Sequence, residues 1–291
     1  MTTPADMFYT TRSGLRIHYL DWGNAGVTPL ILIHGLRAHA HTWDLVVPEL
    51  INDYHVLALD VRGRGDSDWD PQYNYNTATY VSDVEDLVRE QGSEQIVLMG
   101  HSMGGSISMV YASTHPDRVI GAVIVDSGPQ DETPTPGSQR IGREVETTPI
   151  SFSSWDDAKA FLREQRPNAS EESMRIRVQN TLKELPDGTV TWRYDHRGLQ
   201  EVRRNPELSQ RVDMWPHVRA IRCPTLIVRG GRSDVFMAET AQQMVEVMAN
   251  GRWTEVPDAG HPVWDDNLDG FNREVSAFLK GLVKQGSASR S

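Results

Sequence analysis

The sequence predicts an α/β protein built on a mostly parallel sheet, and two observations carry that expectation: short aliphatic runs recur along the chain, and stretches of helical length and period separate them. Residues 30–33, 55–59, 95–99, 119–125 and 225–228 are rich in β-branched and aliphatic side chains, as buried parallel strands require. Residues 77–90, 103–114 and 238–248 have helical length and spacing, so helices belong on both faces of the sheet. Ahead of these, 7–11 and 15–21 flank Arg12-Ser13-Gly14 and read as an antiparallel hairpin at the sheet edge. Residues 252–256 supply the last strand.

The rhythm breaks between about residues 129 and 215. That stretch opens with Pro129, Pro134, Pro136 and Gly137 and offers two helices, around 155–164 and 171–185, with no strong apolar strand. We expect an α/β core over 1–128 and 216–291, with 129–215 forming a helical lid over a pocket at the carboxyl ends of the strands. A helical elaboration that only stabilises the core is the alternative.

Composition narrows the partners. A chain of 291 residues with 38% hydrophobic residues can bury a large core as one globular unit. Its formal net charge of −11 repels phosphate backbones and anionic lipid, which argues against nucleic acid and membrane surfaces. One cysteine, Cys223, excludes an internal disulfide framework and a four-cysteine zinc site, and suits a reducing compartment. No leader-like segment opens the chain and no apolar run nears the roughly 20 residues needed to cross a bilayer, so a soluble, cytoplasmic protein is expected. The polar tail from Lys280 to Ser291 is expected to fray, and a homodimer is left open.

Chemistry concentrates at Gly100-His101-Ser102-Met103-Gly104, a G-x-S-x-G pattern between an expected strand and an expected helix. That context is what a nucleophile elbow needs: a tight turn lifts Ser102 beside a helix N-terminus. The plainer reading makes Ser102 a helix cap. A serine hydroxyl needs a base to take its proton, and His261 in Asp258-Ala259-Gly260-His261-Pro262 follows the last strand in the right chain order. A carboxylate should orient that imidazole. Asp234, directly after the 225–228 strand, is the expected acid, and Asp126, at the end of the 119–125 strand, is the rival. Charge developing on a carbonyl oxygen needs fixed donors, expected from the backbone N–H groups of Met103 and Leu36.

His34-Gly35, the turn from Asp60 to Ser67, Gly100 to Gly105, Cys223-Pro224-Thr225, the Asp234 loop and Gly260-His261 together resemble the α/β-hydrolase superfamily. The resemblance covers about residues 7–128 and 216–280 and is to the branch with a helical cap between the sixth and seventh strands. That branch includes carboxylesterases, lactonases, cofactor-free perhydrolases and carbon–carbon bond hydrolases. It implies the α/β-hydrolase fold, with Ser102, Asp234 and His261 as nucleophile, acid and base, Leu36 and Met103 as oxyanion donors, and no cofactor or metal.

Other signals read as structural. His39-Ala40-His41 lacks the register of a metal-binding pair. The Gly63 and Gly65 turn lacks the third glycine of a dinucleotide fingerprint. Arg37, Trp155 and Val235 are taken as substrate-lining, alongside Trp192, Trp215 and Trp264 as aromatic candidates. The arginines of 129–215 are matched by acids and read as solvated helix faces. The expected activity is hydrolysis of a small ester, lactone or related acyl compound through an acyl-enzyme. The alternatives are a carbon–carbon bond hydrolase of a diketone-like substrate and a ligand receptor that keeps the triad.

Overall fold

The computed structural model describes residues 3–129 and 134–288. Eight strands form one sheet: β1 (Ala5–Thr10), β2 (Arg16–Asp21), β3 (Pro29–Ile33), β4 (His55–Leu59), β5 (Ile96–His101), β6 (Val119–Val125), β10 (Thr225–Gly230) and β11 (Gly251–Val256). Their spatial order is β1-β2-β4-β3-β5-β6-β10-β11. The first hairpin pairs antiparallel and joins β4 antiparallel, and every later pairing is parallel.

The aliphatic runs divide by alternate residues between two cores, which is why they show no polar alternation. Ile31, Ile33, Leu57, Leu59, Leu98 and Ile124 face one core, with α1 (Thr77–Glu90) and α2 (Met103–Thr114) packed on it through Val84, Leu87, Ile107 and Tyr111. Leu30, Leu32, Val56, Ala58, Met99 and Val123 face the other. There Trp43 meets Trp264 of α10 (Val263–Asp266) and Phe271 and Val275 of α11 (Leu268–Ala288). Each fully buried aliphatic side chain contributes about 1.5–3 kcal/mol, so both faces are needed to hold the sheet.

Helix α1 begins where Asn76 Oδ1 accepts from Thr79 N at 3.1 Å, and α9 (Ala238–Val247) closes the edge beside β11. The tail expected to fray is helical through Ala288, and Ser289 to Ser291 lie outside the described residues. No helix among the described residues is long and apolar enough to cross a membrane.

Between β6 and β10 the chain forms α3 (Pro136–Thr147), β7 (Ser151–Phe152), α4 (Trp155–Gln165), α5 (Glu171–Thr181), β8 (Leu182–Glu184), β9 (Val190–Trp192), α6 (His196–Arg204), α7 (Pro206–Ser209) and α8 (Met214–Ala220). The expectation of two helices and no strong apolar strand undercounts this segment, which also holds further helices and three strands of two or three residues. The second helix stops at Thr181, and β8, β9 and β7 pair antiparallel in a small sheet. Its cause is Pro186-Asp187-Gly188: Gly188 takes φ 84°, and Leu185 N donates to Thr189 O at 2.8 Å, closing a hairpin. That turn signal was present in the sequence.

Candidate active site

Ser102 stands between β5 and α2 with φ 54° and ψ −117°, a conformation a side-chain-bearing residue adopts only under constraint. The constraint is local. Ser102 N donates to Val125 O at 2.9 Å, while its carbonyl accepts from Ser106 N at 3.1 Å and Ser127 Oγ at 2.7 Å. A Cβ added at Gly100 would overlap the Gly104 carbonyl, and one at Gly104 would overlap the Ile33 backbone. Only glycine lets α2 sit this close to the sheet. The Ser102 hydroxyl makes no capping bond, so the plain helix-cap reading does not describe it.

His261 lies on the loop after β11, and its Nδ1 sits 2.7 Å from Asp126 Oδ2. Asp126 follows β6, is 1% exposed and has φ 46°. Its N–H donates to Val228 O at 2.7 Å. Its carboxylate also accepts from Gly230 N at 2.9 Å and Ser233 Oγ at 2.6 Å. With Asp126 Oδ2 as the acceptor, His261 Nδ1 carries the hydrogen and Nε2 is left to take a proton.

The expectation that Asp234 meets His261 is corrected. The Asp234 side chain is 43% exposed and pairs with Arg140 Nη2 of α3 at 2.9 Å, while its carbonyl accepts from Gly137 N at 2.8 Å. It ties α3 to the β10 loop. The residue before it, Ser233, is the one that turns inward, and it does so onto Asp126.

Two histidines that the motif reading left unassigned fix this arrangement. His101 Nε2 donates to the His261 carbonyl at 2.9 Å, and its ring lies 4.6 Å from the His261 ring and edge-on to Trp264 at 4.8 Å. Burial, then the neighbouring His261, hold His101 well below the usual imidazole range, so it stays neutral and keeps that donor. The variable position of G-x-S-x-G gave no hint of this, because the partner is 160 residues away. His34 Nδ1 donates to Gly35 O at 2.7 Å and its Nε2 accepts from Val61 N at 3.2 Å, with burial lowering it to about 4.

The turn from Asp60 to Ser67 supports the same loop from beneath. Buried Arg64 donates through Nε to Leu36 O at 2.9 Å and through Nη2 to Tyr80 Oη at 3.1 Å, which holds the backbone at Leu36. Asp60 receives Ala40 N at 2.6 Å, Asp66 N at 3.1 Å and His18 Nδ1 at 2.7 Å. Burial alone would raise its carboxyl, but His18 and the other nearby histidines hold it down at about 2. His39 is buried, whereas His41 pairs with Asp44 Oδ2 at 3.0 Å, so the His-Ala-His pair serves packing and a surface contact.

Ser102, Met103, Leu36, Asp126 and His261 line one cavity of about 1110 Å³. Val235, Arg37, Trp192 and Trp264 share its wall. Trp155 does not: its indole N–H donates to Glu184 Oε2 at 2.8 Å on the outside of the small sheet, which corrects its expected place. Trp215 packs instead beneath the Arg219 guanidinium, 5.7 Å from the ring centre. Arg37 binds Thr148 Oγ1 at 3.0 Å and pairs with Glu144, so its charge is answered within the protein. The reading of the arginines in 129–215 as solvated faces also needs correction, since Arg166 and Arg177 line the cavity.

An open parallel sheet with a strained serine at the strand-to-helix turn defines a nucleophile-elbow protein. The chain belongs to the alpha/beta hydrolase family, whose sequence profile matches residues 30–274, and hydrolysis is the class of activity that membership gives it. It is 32% identical over 260 residues to the 3-hydroxybutyrate-oligomer hydrolase of Cupriavidus necator, covering 84% of this chain and 87% of that protein. It is 28% identical over 271 residues to the N-formylmaleamate deformylase of Pseudomonas putida, covering 92% and 94%. Among solved structures, an alpha/beta hydrolase from Novosphingobium aromaticivorans superposes with a TM-score of 0.81 at 28% identity, over 98% of this chain and 99% of that one. The E-2-(acetamidomethylene)succinate hydrolase superposes with a TM-score of 0.83 at 23% identity, over 95% and 100%, a likeness of fold.

Proposed function

We propose that the protein is a serine hydrolase that cleaves an ester or related acyl bond of a small molecule through Ser102, His261 and Asp126. The observation that carries this reading is the 2.7 Å contact between His261 Nδ1 and the buried Asp126 carboxylate, in the same cavity as the strained serine. As Ser102 Oγ attacks the substrate carbonyl carbon, its proton passes to His261 Nε2, and the carbonyl oxygen becomes an oxyanion. The backbone N–H groups of Leu36 and Met103 receive that charge. The tetrahedral centre collapses to an acyl-enzyme as the leaving group departs with the proton from His261. Water then attacks the acyl carbon with His261 as its base, and Ser102 is released protonated. Asp126 keeps the imidazole in one tautomer and stabilises it while it is charged.

The inserted segment, residues 129–215, acts as the lid, since Trp192, Arg166 and Arg177 from it share the cavity wall with the serine. Relatives named as an oligomer hydrolase and a deformylase support an acyl substrate, and the single buried cysteine suits work in the reducing cytoplasm. An organophosphonate that mimics an ester should label the protein once, at Ser102, as read by intact mass and peptide mapping. Labelling of the folded protein at another serine, or none, would overturn the assignment.

A further inference from the structure

We propose that the substrate carries a carboxylate, which Arg166 and Arg177 bind inside the cavity; this rests on the serine-hydrolase reading of the same site. Arg232, also at the cavity wall, gives its guanidinium to the Asp258 carbonyl, and three other arginines of the lining have counter-charges. Arg37 and Arg140 share Glu144, and Arg203 pairs with Glu146 at 3.0 Å. Arg166 has no ion pair among the described residues. Its Nη1 takes only the backbone carbonyl of Gln165 at 3.0 Å, and its Nε is buried with no hydrogen-bond partner. Arg177 is only partly answered: its Nε is also buried and unpartnered, while its Nη2 pairs with Asp265 at 3.4 Å.

Asp265 already accepts Ser173 Oγ at 2.6 Å, so the one carboxylate that Arg177 meets, and whose charge also reaches Arg166, is partly engaged elsewhere. Leaving a charged donor buried and unmet is costly, and a bound ligand is one arrangement that completes it. A carboxylate suits the vacant donors because its two oxygens match the planar fork of a guanidinium, and a second arginine can share it. Burial, then the charge of Arg177, lower Arg166 to about 10, a strain that a bound anion relieves. Arg166 shares the cavity wall with Ser102 and His101, and its charge is among the lesser influences that hold His101 down. The anion-binding end and the reacting end of the cavity are therefore within electrostatic reach of each other.

The test uses monomethyl esters of succinate, glutarate and adipate, each against the neutral ester in which an isopropyl group replaces the carboxylate, with turnover followed in a pH-stat. The intact protein should favour one of the acid esters over its neutral counterpart in kcat/KM by at least about tenfold, the scale of a charge-assisted hydrogen bond. Arg166→Met and Arg177→Gln, each checked for folding by circular dichroism, should each reduce that ratio several-fold, mainly through KM. Equal rates on both members of every pair, with ratios unmoved in both variants, would overturn the carboxylate site and leave the serine hydrolase standing. If no ester turns over, the hydrolase reading is the one in trouble, and binding decides the inference. Succinate or glutarate should then still raise the melting temperature of Ser102→Ala protein, and Arg166→Met should abolish the rise. No rise with either diacid would overturn the site independently of chemistry.

Discussion

Two aspartates follow neighbouring strands of the sheet, and the structure treats them in opposite ways. Asp126 follows β6 and is sealed among the Gly230 N–H, the Ser233 hydroxyl and His261, whereas Asp234 follows β10 and is half-exposed on Arg140. Both satisfy the chain order of nucleophile, acid and base. What separates them is depth: one carboxylate has given up water for three directed donors, and the other keeps water and one flexible cation. A strand-end carboxylate can orient an imidazole only when the surrounding backbone fixes it, and at Asp126 the neighbouring β10 loop supplies that backbone.

The sharpest way to break this comparison is to change each acid to its amide. Asp126→Asn should lower kcat by about 10⁴ with the fold retained, because an amide can donate to the ring and stabilise the wrong tautomer. Asp234→Asn should cost less than about tenfold. The two rates, measured on proteins with matching circular dichroism, decide the assignment, and the reverse order would return the acid to the β10 loop.

Acid exposes the same burial from another side. His34 and His101 are held below their ordinary range by burial, so both are neutral when folded, while an unfolded chain protonates them near 6.5. The unfolded state therefore binds more protons between about pH 6.5 and 4, and stability falls as pH drops through that window, by up to about 1.4 kcal/mol per unit for each histidine. Burial disfavours charge on His18 and His41 too, but Asp60 and Asp44 raise them, so they oppose this only near the top of the window. Urea midpoints at about pH 7, 5.5 and 4.5 should fall in that order, and a His101→Gln variant should show a shallower fall. A flat series would contradict the buried neutral state.

Ser233 tests whether the β10 loop serves Asp126. Removing its hydroxyl deletes one bond to a buried charge, worth about 1.5–3 kcal/mol, so Ser233→Ala should lower kcat about tenfold with KM little changed. An effect confined to KM would mean that the loop contacts substrate instead. Smallest of all is the half-exposed pair at the cavity wall: Arg140→Gln removes a partner of Asp234 and of Glu144 and should shift stability by no more than about 1 kcal/mol, read as a small change in melting temperature. A loss as large as that of Ser233→Ala in kcat would place Asp234 in the chemistry after all.

Much of this was legible before any coordinates. The strands announced themselves because burial on both faces demands unbroken aliphatic runs, as 30–33 and 119–125 display. Ser102 and His261 were legible because a nucleophile elbow needs small residues at fixed offsets, and the histidine loop follows the last strand. The small β7-β9-β8 sheet was missed although Pro186-Asp187-Gly188 signals its turn, because strands of two or three residues leave no periodic pattern. An aromatic residue in the inserted segment reads as pocket-lining from sequence, but the Trp155 indole N–H donates to Glu184 Oε2 instead.

The chain by itself determined the class of fold, the serine and the base, since each depends on local order: hydrophobic runs, glycine spacing and position after a strand. Only the tertiary structure decided which acid meets His261 and which arginines line the cavity with an N–H group left unmet. Those are questions of distance between segments about a hundred residues apart, and of whether water or protein surrounds a charge. Two aspartates with the same local signature differ by what packs over them, and an arginine in a charge-balanced stretch of sequence comes to line a cavity with a donor unmet when folding buries it there.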